Sequence, residues 1–276
     1  MVTDPELLAS ISVALSRVSY FHTIAGPGPG ICNVCRGPAP ASGICSRCVA
    51  NQQALGGATC DRTFFLTYVD GQNPYGRSQS VQTMRMYKEG HPPPKRNVDD
   101  VHLLTNTSTG LHDDCMREAE NGQGWDVATF VPSRTPRNGL HPVAGIARNV
   151  ARLLADDPAR GGPYRITRVL LAPGPVNAPR EADAGRFSVP DDVRPVVDGK
   201  RVLLVDDTWT SGTSLQLAAA ALKIAGSASV TGLCVARWLS WDWDSHVPLL
   251  KQVAAKPYDP FRCIAFNRSC VPDRAR

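Results

Sequence analysis

Val202-Leu-Leu-Val-Asp206-Asp207-Thr-Trp-Thr210-Ser211-Gly212-Thr213-Ser214 carries the strongest structural signal in the chain. Four apolar residues in a row, Val202–Val205, predict a strand buried on both faces. Two adjacent carboxylates follow at its carboxyl end, the edge where open parallel sheets bind ligands. A short run of hydroxyl residues with one glycine then leads into the apolar helix Leu215–Ala225. Downstream, Val230–Val235 reads as a further strand. Upstream, strand-like Val127–Val131 and Ile166–Leu171 flank a helix at about 141–155, and a Pro/Gly/Ala-rich loop covers 172–199 before strand Arg201–Val205. Short apolar runs alternating with helices predict right-handed crossovers and an α/β fold with a mainly parallel sheet.

The stretch also has a chemical reading. A loop of this kind turns backbone N–H groups toward a ligand at a helix N-terminus, an arrangement suited to phosphate. Thr210, Ser211, Thr213 and Ser214 add hydroxyl donors, and Gly212 permits close approach or positive φ. Asp206 and Asp207 repel a phosphate placed directly on them, so they must face something else. Sugar hydroxyls or hydrated magnesium meet that need, and the whole describes a sugar 5-phosphate site. Rival readings fit less well. In a response-regulator receiver the acids open the domain, whereas here the strands mostly precede Asp207. No G-x4-G-K-[ST] occurs, which excludes a P-loop on the motif's own terms. Trp209 reads as a loop-packing aromatic, with base stacking as the alternative.

Toward the N-terminus, Thr3-Asp4-Pro5 can cap and open a helix on which Leu8, Ile11, Leu15 and Val18 share a face. Phe64–Val69 reads as a strand, Gln79–Lys88 as a short helix, and 99–119 as a helix weakened at Thr105–Gly110. Gly90-His-Pro-Pro-Pro breaks the chain between them. The last strand candidate is Cys263–Phe266.

Nine cysteines are many for a reducing compartment. Cys32-Asn-Val-Cys35 and Cys45-Ser-Arg-Cys48 form C-x2-C-x9-C-x2-C, which can present four thiolates to one structural zinc ion. A redox reading expects a single C-x-x-C opening a helix of a thioredoxin-like unit, and that context is missing. The surrounding segment 31–60 has few large apolar side chains and needs such a staple. Cys60, Cys115, Cys234, Cys263 and Cys270 show no metal spacing with one another and read as small core or surface residues. The expected division is a helix and zinc module at 1–60 and an α/β domain at 61–276.

Bulk properties add little. The chain has 276 residues, 42% apolar and 20% charged, with a net charge of +5. That is a soluble composition, compatible with anionic ligands or weak nucleic-acid contact. No apolar run reaches the roughly 18 residues of a membrane span. Met1-Val-Thr-Asp-Pro lacks the pattern of a secretion signal, so a cytoplasmic location is expected. Arg36 and Arg47 are too few for a basic patch. Trp238, Trp241 and Trp243 lack the interleaved basic residues of a single-strand groove.

The thirteen-residue stretch resembles the motif of type I phosphoribosyltransferases that binds phosphoribosyl diphosphate (PRPP). With the four-cysteine module before it, the chain is similar to the ComF family. Met84-Arg-Met-Tyr-Lys88, Asp126-Val-Ala-Thr-Phe-Val-Pro132, Asp198-Gly-Lys-Arg201 and Ala225-Gly226 extend the likeness. The resemblance implies a type I phosphoribosyltransferase sheet behind a zinc-ribbon-like module. It implies that Asp206 and Asp207 hold the ribose hydroxyls, and that Thr210, Ser211, Gly212, Thr213 and Ser214 cradle the 5-phosphate, with Thr208 among the substrate-binding residues. Ser133 and Arg134, after the Pro132 strand, fall where such proteins bind pyrophosphate. Where the family carries an Arg-Gly-Phe-Asn run, this chain has Asn138-Gly139-Leu140-His141, and its 172–190 loop holds only Arg180 of the family's polar pattern.

The activity so implied is magnesium-dependent transfer of a phosphoribosyl group to a nitrogen nucleophile. The alternative is a non-catalytic protein that keeps the PRPP or nucleotide site. Competence machinery and single-stranded DNA enter as partners through the family alone.

Overall fold

A computed structural model describes residues 4–89, 92–133, 141–155, 166–169, 171–173 and 184–271. In chain order the elements are α1 (Pro5–Ser16), α2 (Ser46–Ala54), β1 (Arg62–Gly71), α3 (Gln79–Met86), α4 (Lys95–Ala119) and β2 (Val127–Phe130). Next come α5 (Val143–Ala155), β3 (Thr167–Arg168), β4 (Ala172–Pro173), β5 (Phe187–Ser188) and α6 (Arg194–Val197). β6 (Arg201–Trp209), α7 (Thr213–Ile224), β7 (Ser229–Ser240) and α8 (Val247–Ala254) complete them. By contacts the chain forms two compact units: Met1–Cys45 with Phe65–Gln123 and Val235–Arg276, and Ser46–Phe64 with Gly124–Cys234.

The main sheet has the order β1-β7-β6-β2-β3. β2 pairs parallel with β6, from Val127 opposite Val202 to Phe130 opposite Val205, and parallel with β3. Val202, Leu203, Leu204 and Val205 are fully buried, as an uninterrupted apolar run requires in a strand covered on both faces. The order contains a reversal. From β2 the chain passes through α5 to β3 on one side, and from β6 it passes through α7 to β7 on the other. The crevice outside the carboxyl ends of β2 and β6 is therefore the topological switch point, where open α/β sheets bind ligands.

Two β-strand expectations are corrected. Ile166–Leu171 does not form one strand: β3 has two residues, and Ala172–Pro173 pairs instead with Phe187–Ser188 in a separate antiparallel ribbon. Proline at 173 has no N–H to offer a central ladder, which suits a short ribbon. Cys263–Phe266 is not a strand either. The Cys263 amide donates to the Arg268 carbonyl at 3.0 Å and the Phe266 amide to Cys263 Sγ at 3.3 Å, closing a turn with the single bridge Arg262–Ser269.

In the first unit, Asp4 caps α1 by accepting from the Glu6 amide; of the four residues expected on one helical face, Leu8 and Leu15 are buried, Ile11 is half-buried, and Val18 is buried just beyond the helix end. α4 runs unbroken for 25 residues through the segment expected to be weak. Its small residues Thr105, Ser108 and Thr109 are buried in line with Val101, Leu104 and Cys115, so tertiary packing overrides their modest helix propensity. No helix among the described residues is long and apolar enough to cross a membrane.

Candidate functional site

β6 outruns β2. Its last residue in register with β2 is Val205, where the Val131 amide still donates to the Val205 carbonyl at 3.0 Å, but the strand continues to Trp209. Asp206 and Asp207 therefore lie inside a strand, not after one as the sequence reading places them. Alternation then applies. Asp206 and Thr208 are half-buried on one face, while Asp207 (6% exposed) and Trp209 (2%) point into the other. The Asp207 amide donates to Asp206 Oδ1 at 2.8 Å, which fixes the Asp206 carboxylate beside the strand end. Thr208 Oγ1 is buried with no hydrogen-bond partner among the described residues, an orphan donor at the mouth of the crevice.

The loop Thr210–Gly212 joins β6 to α7. Gly212 occupies the position before the helix with φ +78°, and a Cβ there would lie 2.1 Å from Trp209 Cζ2. Both facts require glycine. Trp209 is thus the floor against which the loop turns, and its ring is unavailable for stacking on a ligand. Thr213 and Ser214 form the first turn of α7. Ser211 Oγ lies 3.0 Å from Thr213 Oγ1 and accepts from the Thr213 amide at 3.4 Å, serving the helix start in place of a side-chain cap at Gly212. Thr210 is exposed, while Ser211, Thr213 and Ser214 are half-buried. Ser133, half-buried, follows β2 on the neighbouring strand. Arg134, the rest of 134–140, and Arg180 lie outside the described residues.

Two residues that the sequence reading missed make buried contacts here, one with the loop and one between α7 and the segment before β1. Asn51 on α2 donates through Nδ2 to the Ser211 carbonyl at 3.2 Å, and Gln216 on α7 accepts from the Cys60 amide through Oε1 at 2.7 Å. Both side chains are buried. Neither Asn nor Gln belongs to a motif here, so only the fold reveals them. The outlying anchors of the resemblance also meet. Arg201 makes a two-pronged ion pair with Asp126, which holds that carboxyl below its usual range, and the Gly199 amide donates to the Gly226 carbonyl at 2.9 Å.

The four module cysteines converge: the sulfurs of Cys32, Cys35, Cys45 and Cys48 all lie within 4.8 Å of one another. Zinc–sulfur bonds of about 2.3 Å in a tetrahedron place neighbouring sulfurs about 3.8 Å apart, and Cys35 Sγ to Cys45 Sγ is 3.7 Å. The Cys35 and Cys45 amides donate to Cys32 Sγ at 3.5 and 3.4 Å, and the Gly37 amide donates to Cys35 Sγ at 3.4 Å. Such donors stabilise thiolate character, and the set fits a closed structural metal centre. Arg237, buried, donates through Nε to the Cys35 carbonyl at 2.9 Å and brings a positive charge to the thiolates. Arg36 is buried and donates to the Ala265 carbonyl, so its role is internal.

Residues 173–240 match the family described as the phosphoribosyl transferase domain, a segment that contains β6, the loop, α7 and β7. The chain therefore carries a phosphoribosyltransferase-like segment around the site. Among solved structures, the allosteric regulatory enzyme of purine biosynthesis is similar at 23% identity and TM-score 0.29, over 48% of this chain and 26% of that one. This chain thus spans about a quarter of that enzyme's length. A phosphoribosyltransferase from Corynebacterium diphtheriae is 20% identical over 53% of this chain and 85% of its own, with TM-score 0.28. Orotate phosphoribosyltransferase of Mycobacterium tuberculosis H37Rv, in complex with inorganic phosphate, is 17% identical over 70% and 86%, with TM-score 0.28. No curated protein sequence matches the chain significantly.

Proposed function

We propose that the crevice beyond β2 and β6 binds PRPP, and that the chain is a phosphoribosyltransferase-like protein of the ComF type. One observation carries this reading: at the switch point, a strand ending in Asp206 and Asp207 turns on a left-handed Gly212 into the N-terminus of α7. Asp206 accepts hydrogen bonds from the ribose hydroxyls, with Asp207, buried on the opposite face, as the second acid of the pair, its amide fixing the Asp206 carboxylate. Thr210–Ser214 gives amide and hydroxyl donors to the 5-phosphate. Thr208 Oγ1, which has no hydrogen-bond partner among the described residues, can take one from the ligand. Ser133, and Arg134 in the segment outside the described residues, are assigned to the diphosphate by the resemblance alone.

The oxygen donors of Asp206 and the ligand suit magnesium, which neutralises the diphosphate when bound with it. The chain's own residues position the C1 centre for a nitrogen nucleophile by gripping both ends of the sugar phosphate, so catalysis rests on orientation and charge stabilisation. The four cysteines hold a structural zinc, in keeping with 1–60 as a module preceding the domain at 61–276.

Calorimetry with PRPP and magnesium tests the site, and a pyrophosphate-release assay over nucleobases and ammonia tests turnover. Absence of PRPP binding overturns the reading. Binding without release under any acceptor assigns the chain to the non-catalytic alternative, with a regulatory or DNA-uptake role.

A further inference from the structure

Five cysteines lie outside the N-terminal module, and three of them meet. Cys115, on the last turns of α4, and Cys270, near the C-terminus, lie with His112 so that their ligand atoms are within 4.8 Å of one another. His112 Nδ1 is 3.3 Å from Cys270 Sγ and 3.8 Å from Cys115 Sγ. Cys263 is buried beside them and interacts with both Cys115 and Cys270, although its sulfur is not within 4.8 Å of all three ligand atoms. All four side chains are buried, and none of the cysteines is in a disulfide.

Three features separate this cluster from thiols that merely pack together. Zinc bonds of about 2.3 Å to sulfur and 2.0–2.1 Å to nitrogen set a tetrahedral S–N edge of about 3.6 Å, and the two measured edges bracket it. His112 also hydrogen-bonds to Pro260, which has only a carbonyl to offer, so the imidazole is the donor. With Nδ1 turned to the sulfurs, the donating nitrogen is Nε2, and the acceptor side of the ring faces the thiols as a metal ligand requires. Finally, the Phe266 amide donates to Cys263 Sγ at 3.3 Å, the same loop-to-sulfur bond that the Cys35 amide makes to Cys32 Sγ.

We propose that His112, Cys115, Cys263 and Cys270 form a second structural zinc site. Soft thiolates with one imidazole in a closed tetrahedron select zinc over the hard cations. Segment 259–271 contains one β-bridge and no helix, and the metal staples it to α4. A cavity lined by Leu111, Asp114, Cys115, Glu118, Arg268 and Cys270 adjoins the cluster and offers the ion a path in. The sequence hides the site because its ligands come from two distant segments, and His112 and Cys115 are three apart on a helix, not paired in a knuckle.

Metal analysis of the full chain, purified reduced and without a polyhistidine tag, decides the matter. The expected content is close to two zinc ions per chain. Cys263→Ser loses one and keeps the N-terminal one, whereas Cys45→Ser loses the other. X-ray absorption at the zinc edge gives a control that needs no variant. The wild type shows a mixture of four-sulfur and three-sulfur, one-nitrogen environments, and the zinc left in Cys45→Ser shows the latter alone. A wild type with one zinc in an all-sulfur shell, or an intact mass revealing a disulfide among Cys115, Cys263 and Cys270, overturns the proposal.

Discussion

The Asn51 side chain donates to the Ser211 carbonyl at 3.2 Å and so ties helix α2 to the loop between β6 and α7. A buried amide holding one loop carbonyl orients the backbone N–H groups that follow it. Asn51→Ala leaves that carbonyl without its donor, at a cost of about 1 kcal/mol in a typical case. PRPP affinity, measured by calorimetry, should fall roughly 5-fold, with the far-ultraviolet circular dichroism unchanged. Unaltered affinity would remove Asn51 from the site.

The two aspartates differ in exposure, and the double variant Asp206→Asn with Asp207→Asn separates their work from that of the loop. It removes the carboxylates proposed to accept from the ribose hydroxyls and leaves the Thr210–Ser214 donors in place. PRPP binding should be lost in the variant while weak binding of inorganic phosphate survives, both read by calorimetry. Zinc content should match the wild type. Retained PRPP affinity in the double variant would defeat the assignment of the diol to these carboxylates.

Much of this was legible in the sequence. The apolar run Val202–Val205 could belong only to a doubly covered strand, and the helix after Gly212 announced itself by composition. The limit of β6 was not legible. Asp206 and Asp207 are disfavoured in strands, and their extended conformation comes from the sheet around them. Thr105–Gly110 shows the same competition, where burial of small hydroxyl residues outweighs their weak local preference. C-x2-C spacing made the first cysteine cluster readable because both halves are local. Asn51 and the His112 cluster were hidden because their contacts span 160 and 158 residues.

Gly212 is constrained twice. Its φ of +78° disfavours any side chain, and a Cβ would strike the Trp209 ring. Gly212→Ala should therefore destabilise the protein by more than the roughly 1 kcal/mol that a strained left-handed residue costs. The excess is the clash. In a double-mutant cycle with Trp209→Leu, urea denaturation should show the Gly212→Ala penalty shrinking toward the backbone cost alone. A penalty unchanged by Trp209→Leu would mean that the loop relaxes away from the ring.

His246 gives the fold an acid limit. Its Nδ1 accepts from the Ser240 amide at 3.1 Å, and burial, with the Arg237 charge adding to it, pushes its pKa down to about 4. The folded protein therefore holds the neutral ring, whereas the unfolded chain protonates it near the ordinary value of 6.5. A depressed folded pKa means that the stabilisation is complete above pH 6.5 and drains away as pH falls toward 4. Urea midpoints should decline across that window. His246→Gln keeps an acceptor for the Ser240 amide but does not titrate, so its midpoints should decline less steeply between those limits. Equal slopes for variant and wild type would place the acid sensitivity in the carboxylates instead.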